Sequence, residues 1–179
     1  MIRTLAPLAA LLALALPAAA QANLAVGAKA PSFATASAKA GKAKRFHLAE
    51  ALQDGPVVLY FYPKAFTEGC TLETKAFADA HNEFAAAGAT VIGMSNDDLP
   101  TLKKFSTEAC GSKFAVGIAT PHMIEGYDVD LVRDGQSTGL TQRTSYVIAP
   151  DGSIAFVHSD MDYRDHVRLT LDAVKKLSR

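Results

Sequence analysis

The densest apolar run of the chain, VVLYFY at residues 57–62, shows no alternation of apolar and polar positions. That is the pattern of a central strand covered on both faces, and it predicts parallel neighbours reached through helices. Beyond it the period changes. Leu72, Ala76, Phe77, Ala80 and Phe84 recur every three or four residues, which predicts one amphipathic helix that Gly88 ends. ATVIGMS (89–95) reads as the next strand, and NDDLP then supplies cap residues and an early proline for a helix with Leu99, Leu102 and Phe105 on one face. FAVGIAT (114–120) is a further short strand. SYVIAPDGSIAFV reads as two strands about a Pro-Asp-Gly turn, and Val167, Leu171 and Val174 line one face of a closing helix. Ahead of all this, VGAKAPSF and the Ala/Lys/Gly-rich stretch after it read as an extended leading segment with turns, ending in a short helical piece around FHLAEAL.

The β-α-β-α order followed by a hairpin and a helix resembles a thioredoxin-like α/β sandwich. Fold alone names no function. Residues 1–22 stand outside the pattern: Arg3, an apolar core from Leu5 to Leu16, and Ala20 and Ala22 flanking Gln21 make up a secretory leader cleaved after Ala22. Removing 22 residues from 179 leaves 157, the size of one domain, 23–179. Without Arg3 the balance is 17 Lys and Arg against 18 Asp and Glu, about −1, with no long run of one sign. That gives no reason to expect a nucleic-acid partner, or a membrane partner once the leader is gone. The expected location is periplasmic or secreted, where two cysteines can also form a structural bridge.

The two cysteines, Cys70 and Cys110, lie 40 residues apart, which excludes a CxxC pair or a zinc-finger spacing. Their expected surroundings differ. Cys70 falls in the first turn of a helix, where unpaired N–H groups and the positive end of the dipole favour a thiolate. Cys110 falls at the last residue of another helix, before Gly111, where unpaired carbonyls favour the neutral thiol. The first is the expected nucleophile and the second the sluggish partner.

The residues before Cys70 sharpen this. Pro63, Thr67 and Cys70 spell P-x-x-x-T-x-x-C in PKAFTEGC, and together with VVLYFYP, TQRTSYVIAPDG and the leading VGAKAPSF the chain resembles the peroxiredoxins, nearest the bacterioferritin comigratory protein (PrxQ) type. The resemblance runs from about Val26 to the C-terminus. It implies a thioredoxin-like fold of the peroxiredoxin type, a central mixed β-sheet flanked by helices. It also implies a peroxidatic site of Pro63, Thr67, Cys70 and Arg143, with Glu73 holding the arginine, and a thiol-dependent peroxidase acting on hydrogen peroxide and organic hydroperoxides with no cofactor or metal. The chemistry suits these side chains: attack of a thiolate on a peroxide needs hydrogen bonds that fix the peroxide and positive charge for the leaving oxygen. Thr67 can supply the first and Arg143 the second, while Pro63 brings no N–H and shields the rim. Taken singly, each has an ordinary explanation as strand terminator, helix cap or surface ion pair.

The chain departs from the PrxQ pattern at Lys75, where many relatives carry a resolving cysteine. Some members resolve from the helix after the next strand, which implies Cys110 as the resolving residue here. The implied partners are a peroxide and a thioredoxin-like or other periplasmic thiol reductant acting on a monomer. Three other readings remain. A thioredoxin-type exchanger lacks a second thiol at Glu73. A cysteine hydrolase or metal site needs a positioned histidine, and His47, His81, His122, His158 and His166 are scattered and read mostly as surface residues. An exported binding domain stapled by Cys70 and Cys110 would gain about 4 kcal/mol from a loop of this length.

Overall fold

The computed structural model describes residues 23–177, so the expected leader lies outside the described residues. The run that dominates the sequence becomes β3 (Val57–Phe61), with every residue buried. Its side chains divide between two cores. Val58, Tyr60 and the following Tyr62 face one cluster with both cysteines; Val57, Leu59 and Phe61 face the other. Burial on both sides is why the sequence does not alternate there.

Seven strands form the main sheet, in the order β2 (Lys42–His47), β1 (Ala34–Lys39), β5 (Ala115–Ile118), β4 (Thr90–Ser95), β3, β8 (Thr144–Ile148) and β9 (Ile154–Ser159). On one side β3 pairs in parallel with β4 (Thr90–Ser95), and on the other it pairs antiparallel with β8 (Thr144–Ile148). The expectation of parallel neighbours therefore holds for one side only. β8 then turns back through a hairpin to β9 (Ile154–Ser159), its antiparallel neighbour on the other side. β4 continues the parallel set to β5 (Ala115–Ile118).

The leading segment is more ordered than its composition suggests. Ala34–Lys39 (β1) and Lys42–His47 (β2) form a hairpin that turns at Ala40 and Gly41, both at positive φ. β1 joins the sheet antiparallel to β5. Its small residues, such as the fully buried Ala38, carry little β signal. β2 forms the sheet edge and carries Lys42, Lys44 and Arg45, charges that discourage further strand pairing. The short helix α1 (Leu48–Asp54) follows as expected.

Where one helix was expected up to Gly88, two occur: α2 (Glu68–Asp79) and α3 (His81–Ala86). Ala80 breaks the run at ψ 0°. The break brings Phe84 against Phe77, ring centroids 5.8 Å apart, so the apolar stripe is kept although the helix is not. Leu72, assigned to that stripe, is exposed. α4 (Leu99–Glu108) starts at Asp98, whose carboxylate accepts from the Thr101 N–H at 2.9 Å. It ends two residues before Cys110, which lies just past the helix. Two elements were not expected: α5 (Pro121–Gly126) and a separate ribbon of β6 (Asp130–Arg133) and β7 (Gln136–Thr141). A single 3-10 turn (Tyr163–Asp165) leads into the closing helix α6 (His166–Leu177).

Candidate active site

β3 delivers the chain to the site. Tyr60 fixes how α2 lies on the sheet: its ring stacks on Phe77 at 4.3 Å and its hydroxyl meets the Thr74 hydroxyl at 3.0 Å. Between strand and helix, the loop that begins with Pro63 is tied down by Asp97, which accepts from the Ala65 N–H at 2.7 Å and from the Ser95 hydroxyl at 2.8 Å. Phe66 has φ +65°, an unusual conformation for an aromatic residue, and its ring packs edge-on against Phe105 of α4.

Thr67 is the N-cap of α2, and its carbonyl takes the first intrahelical bond from the Thr71 N–H. Its hydroxyl makes no cap bond and instead donates to the Lys64 carbonyl at 2.9 Å. With that proton engaged, the oxygen lone pairs are left to accept from a bound peroxide. Cys70 is the third residue of the helix and is 1% exposed. The N–H groups of this first turn have no intrahelical acceptor, and the positive end of the helix dipole lies at this end.

Arg143, the residue before β8, reaches across to this helix and is itself buried. Its three nitrogens are all used. Nε donates to the Met161 carbonyl at 3.0 Å, Nη1 to Glu73 Oε2, and Nη2 to the Cys70 sulfur at 3.5 Å. Burial works against the charge of the guanidinium, but Glu73 and Cys70 beside it raise its pKa above the usual arginine value. Burial pushes the Glu73 carboxyl up, to about 8, against the pull of Arg143. Gly69 makes room for this arrangement, since a Cβ there would stand 3.3 Å from Arg143 Nη2.

Behind Glu73 sits a residue that the sequence reading left on the surface. His166, the first residue of α6, is fully buried, with Nδ1 3.7 Å from Glu73 Oε1. Its ring lies between the Ser145 hydroxyl (2.8 Å to Nδ1) and the Asp160 carbonyl (2.9 Å to Nε2). Burial lowers its pKa to about 4, so the ring is neutral near pH 7. A histidine opening an amphipathic helix beside apolar positions was the available signal. Gly69 and Asp97 were also missed, because their roles depend on residues 74 and 32 positions away.

Cys110 belongs to the same core cluster as Cys70, on the same side of the sheet. It is fully buried, and burial pushes its thiol up to about 12. Both cysteines are free, so this structure contains no staple between them. Among the described residues, no group of three or more His, Cys, Asp or Glu side chains is placed to hold a metal ion.

The structure thus brings Arg143 onto both Cys70 and Glu73; Thr67 is the exposed N-cap of the same helix, Pro63 is half-buried at the start of the loop before it, and Cys110 is buried in the core cluster that also holds Cys70. Comparisons with known proteins show the family. The model of the AhpC/TSA family matches residues 26–157. Peroxiredoxin Bcp of Bacillus subtilis is 32% identical over 125 residues, covering 68% of this chain and 79% of that protein. Among solved structures, peroxidoxin BcpB of Mycobacterium tuberculosis superposes with a TM-score of 0.75 at 28% identity, over 85% of this chain and 97% of the other. Xanthomonas campestris peroxiredoxin Q, at 24% identity and a TM-score of 0.70 over 80% of this chain and 91% of the other, shares the fold. The family match and the Bacillus subtilis relative lead to one conclusion: the chain belongs to the AhpC/TSA family and, within it, to the peroxiredoxins.

Proposed function

We propose that the protein is an exported, monomeric thiol peroxidase that reduces hydrogen peroxide and organic hydroperoxides, with Cys70 as the peroxidatic residue and Cys110 resolving it within the same chain. The observation that carries this reading is the Arg143 guanidinium set between the Cys70 sulfur and Glu73.

The Cys70 thiolate attacks the terminal oxygen of ROOH in line with the O–O bond. A sulfur–oxygen bond forms as the O–O bond breaks, and the sulfur loses two electrons to the peroxide. The leaving RO⁻ takes a proton and departs as ROH, leaving Cys70 as the sulfenic acid. Arg143 Nη2, already at the sulfur, is placed to follow the charge from the thiolate onto the departing oxygen. Thr67, whose own proton is committed to Lys64, accepts the hydrogen of the incoming peroxide. Because the arginine is fixed by Glu73 and Met161, it need not reorganise as the charge moves.

Resolution needs the Cys110 thiolate to attack the oxidised sulfur, with the sulfenic oxygen leaving as water. In the closed structure that thiolate is scarce, because burial pushes the Cys110 thiol up to about 12, far above neutral pH. Cys110 must therefore leave its apolar surroundings to react, and local opening of its segment supplies that exposure. A thioredoxin-like or other periplasmic thiol then returns the disulfide to two thiols. The leader-like pattern of residues 1–22 supports export.

The proposal is tested by treating the reduced protein with one equivalent of hydrogen peroxide and mapping its peptides. A Cys70–Cys110 crosslink within one chain is the expected product. Recovery of both thiols unchanged refutes the reading. Fractionation of the producing cells tests export, which fails if the unprocessed chain stays with the cytoplasmic contents.

A further inference from the structure

Residues 109–113 follow α4 and carry Cys110. Their backbone bonds stay within α4 and the turn itself. Ala109 and Cys110 donate to the Phe105 carbonyl at 3.0 and 3.2 Å, Ser112 to that of Ser106 at 3.0 Å, and Lys113 to that of Cys110 at 3.0 Å. Gly111 and Ser112 are both left-handed, at φ +54° and +63°, and the second is a conformation that residues with a side chain seldom adopt. Among the described residues, one hydrogen bond alone ties this turn to another element: Lys113 Nζ donates to the Ala78 carbonyl at 2.8 Å.

We propose that Lys113 is a positioning residue of the resolving step: its ammonium group latches the Cys110 turn onto the last turn of α2, and the latch has to release before Cys110 can reach an oxidised Cys70. This deepens the peroxidase reading and rests on it.

The acceptor suits a cation. Ala78 lies in the last turn of α2, where carbonyls lack the usual donor four residues on and face the negative end of the helix dipole. A bond from a charged donor is stronger there than one from a neutral group. No carboxylate competes for the ammonium in the adjoining cleft, which Lys113 lines together with Lys39, His81 and Phe46.

The position of Lys113 matters as well. The next residue, Phe114, is buried, and its ring packs edge-on against Tyr60 of β3 at 6.2 Å, so the chain is held from there onward. At the other end, the Ser106 hydroxyl of α4 accepts from the Gly41 N–H at 2.9 Å. The turn between these two fixed points closes on the far end of the helix whose first turn carries Cys70. With Nζ on Ala78, Cys110 stays in the core; with Nζ in water, the two left-handed residues can relax and the turn can swing out. Removing the donor therefore makes opening more frequent by the factor that the bond contributes to the closed form.

The test uses the full chain with Cys70→Ser and reads the alkylation of Cys110 by iodoacetamide at pH 8, in the range where the rate is proportional to reagent and so reports how often the turn is open. Lys113→Met keeps the apolar stem and loses the donor. It is expected to raise the rate about three- to tenfold, the effect of one hydrogen bond lost from the closed form, with hydrogen exchange of residues 57–62 unchanged. Lys113→Arg keeps a cationic donor and is expected to react within about twofold of the parent. In the chain with both cysteines, one equivalent of hydrogen peroxide should give the disulfide several-fold faster in Lys113→Met, from a sulfenic acid formed at the parental rate. The proposal is overturned if Lys113→Met alkylates no faster than the parent, or if Lys113→Arg matches Lys113→Met. Faster alkylation accompanied by faster exchange at residues 57–62 overturns it too, since the effect would then be global. So does faster alkylation without faster disulfide formation in a parent that consumes peroxide. The alkylation measurement needs neither peroxide nor Cys70, so a parent inert to peroxide would defeat the peroxidase reading while leaving the latch readable.

Discussion

The Nη2 atom of Arg143 lies 3.5 Å from the Cys70 sulfur while the Nη1 atom of the same guanidinium holds Glu73, a carboxyl group one helical turn further along α2. One cation thus serves the reacting sulfur and anchors the helix that carries it.

Arg143→Ala should slow peroxide attack on Cys70 by about a hundredfold or more, the usual cost of losing a positioned donor to developing negative charge. It should also destabilise the fold by about 1 to 3 kcal/mol, because the buried Glu73 carboxyl, which burial already pushes up to about 8, loses its hydrogen-bond donor. Arg143→Lys should recover little of the rate, since an ammonium group cannot bind Met161, Glu73 and Cys70 together. Stopped-flow rates below the unfolding temperature check this, and a folded Arg143→Ala protein reacting at the parental rate contradicts it.

Gly69→Ala should separate activity from stability. Alanine is favoured over glycine inside a helix by up to about 1 kcal/mol, yet its Cβ would stand 3.3 Å from Arg143 Nη2 and push the guanidinium aside. A chain as stable as the parent or more so, with peroxide attack slowed several-fold, is the expected outcome of paired denaturation and kinetic measurements. Parental kinetics would mean that the arginine's placement has slack.

The buried Cys110 thiol makes the reduced protein sensitive to alkali. Its folded pKa of about 12 lies above the unfolded value of about 8.5. The folded state therefore holds the proton more tightly, and this contribution is complete below pH 8.5 and is lost as the pH rises toward 12. The loss should approach about 1.4 kcal/mol for each pH unit. Urea titrations of reduced protein between pH 8 and 10 should show this fall, and Cys110→Ala should flatten it over that window. Tyr60 and Tyr62, also raised by burial, add their own losses at higher pH. Equal slopes in parent and variant would refute the assignment.

Disulfide formation should open the chain at two places only. Hydrogen exchange of the oxidised form should show amides of residues 69–74 and 106–113 losing protection relative to the reduced form, with residues 57–62 unchanged. β3 is hydrogen-bonded on both sides and packed on both faces, so opening it would mean global unfolding. Unchanged exchange at both segments would count against opening as the route to resolution.

Much of this was legible because its signals are local. The unbroken VVLYFY run, the capped start of α4 and the Pro-Asp-Gly turn each carry their instruction within a few residues. The meeting of Arg143 with Cys70 and Glu73 was legible through the resemblance that the spacing of Pro63, Thr67 and Cys70 helps to carry. The hairpin of β1 and β2 was not, because alanine and lysine say little about strands until α4 and β5 are there to pack against. The ribbon of β6 and β7 did leave a sign, Asp134-Gly135 at positive φ, a turn pair that the reading passed over. His166 was misplaced for a different reason. Its partners Ser145, Asp160 and Glu73 come from three other parts of the chain, and a histidine's burial is decided by those partners rather than by its neighbours in sequence.

The most direct test of Cys70 as the peroxidatic residue is the stoichiometry of hydrogen peroxide consumed by reduced Cys70→Ser and Cys110→Ser proteins in the absence of reductant. Cys110→Ser should consume about one equivalent at the parental initial rate and stop at a sulfenic acid on Cys70, trapped by dimedone. Cys70→Ser should consume none on that timescale, since Cys110 is buried and protonated. Rapid peroxide consumption by Cys70→Ser would show that the chemistry belongs elsewhere in the chain.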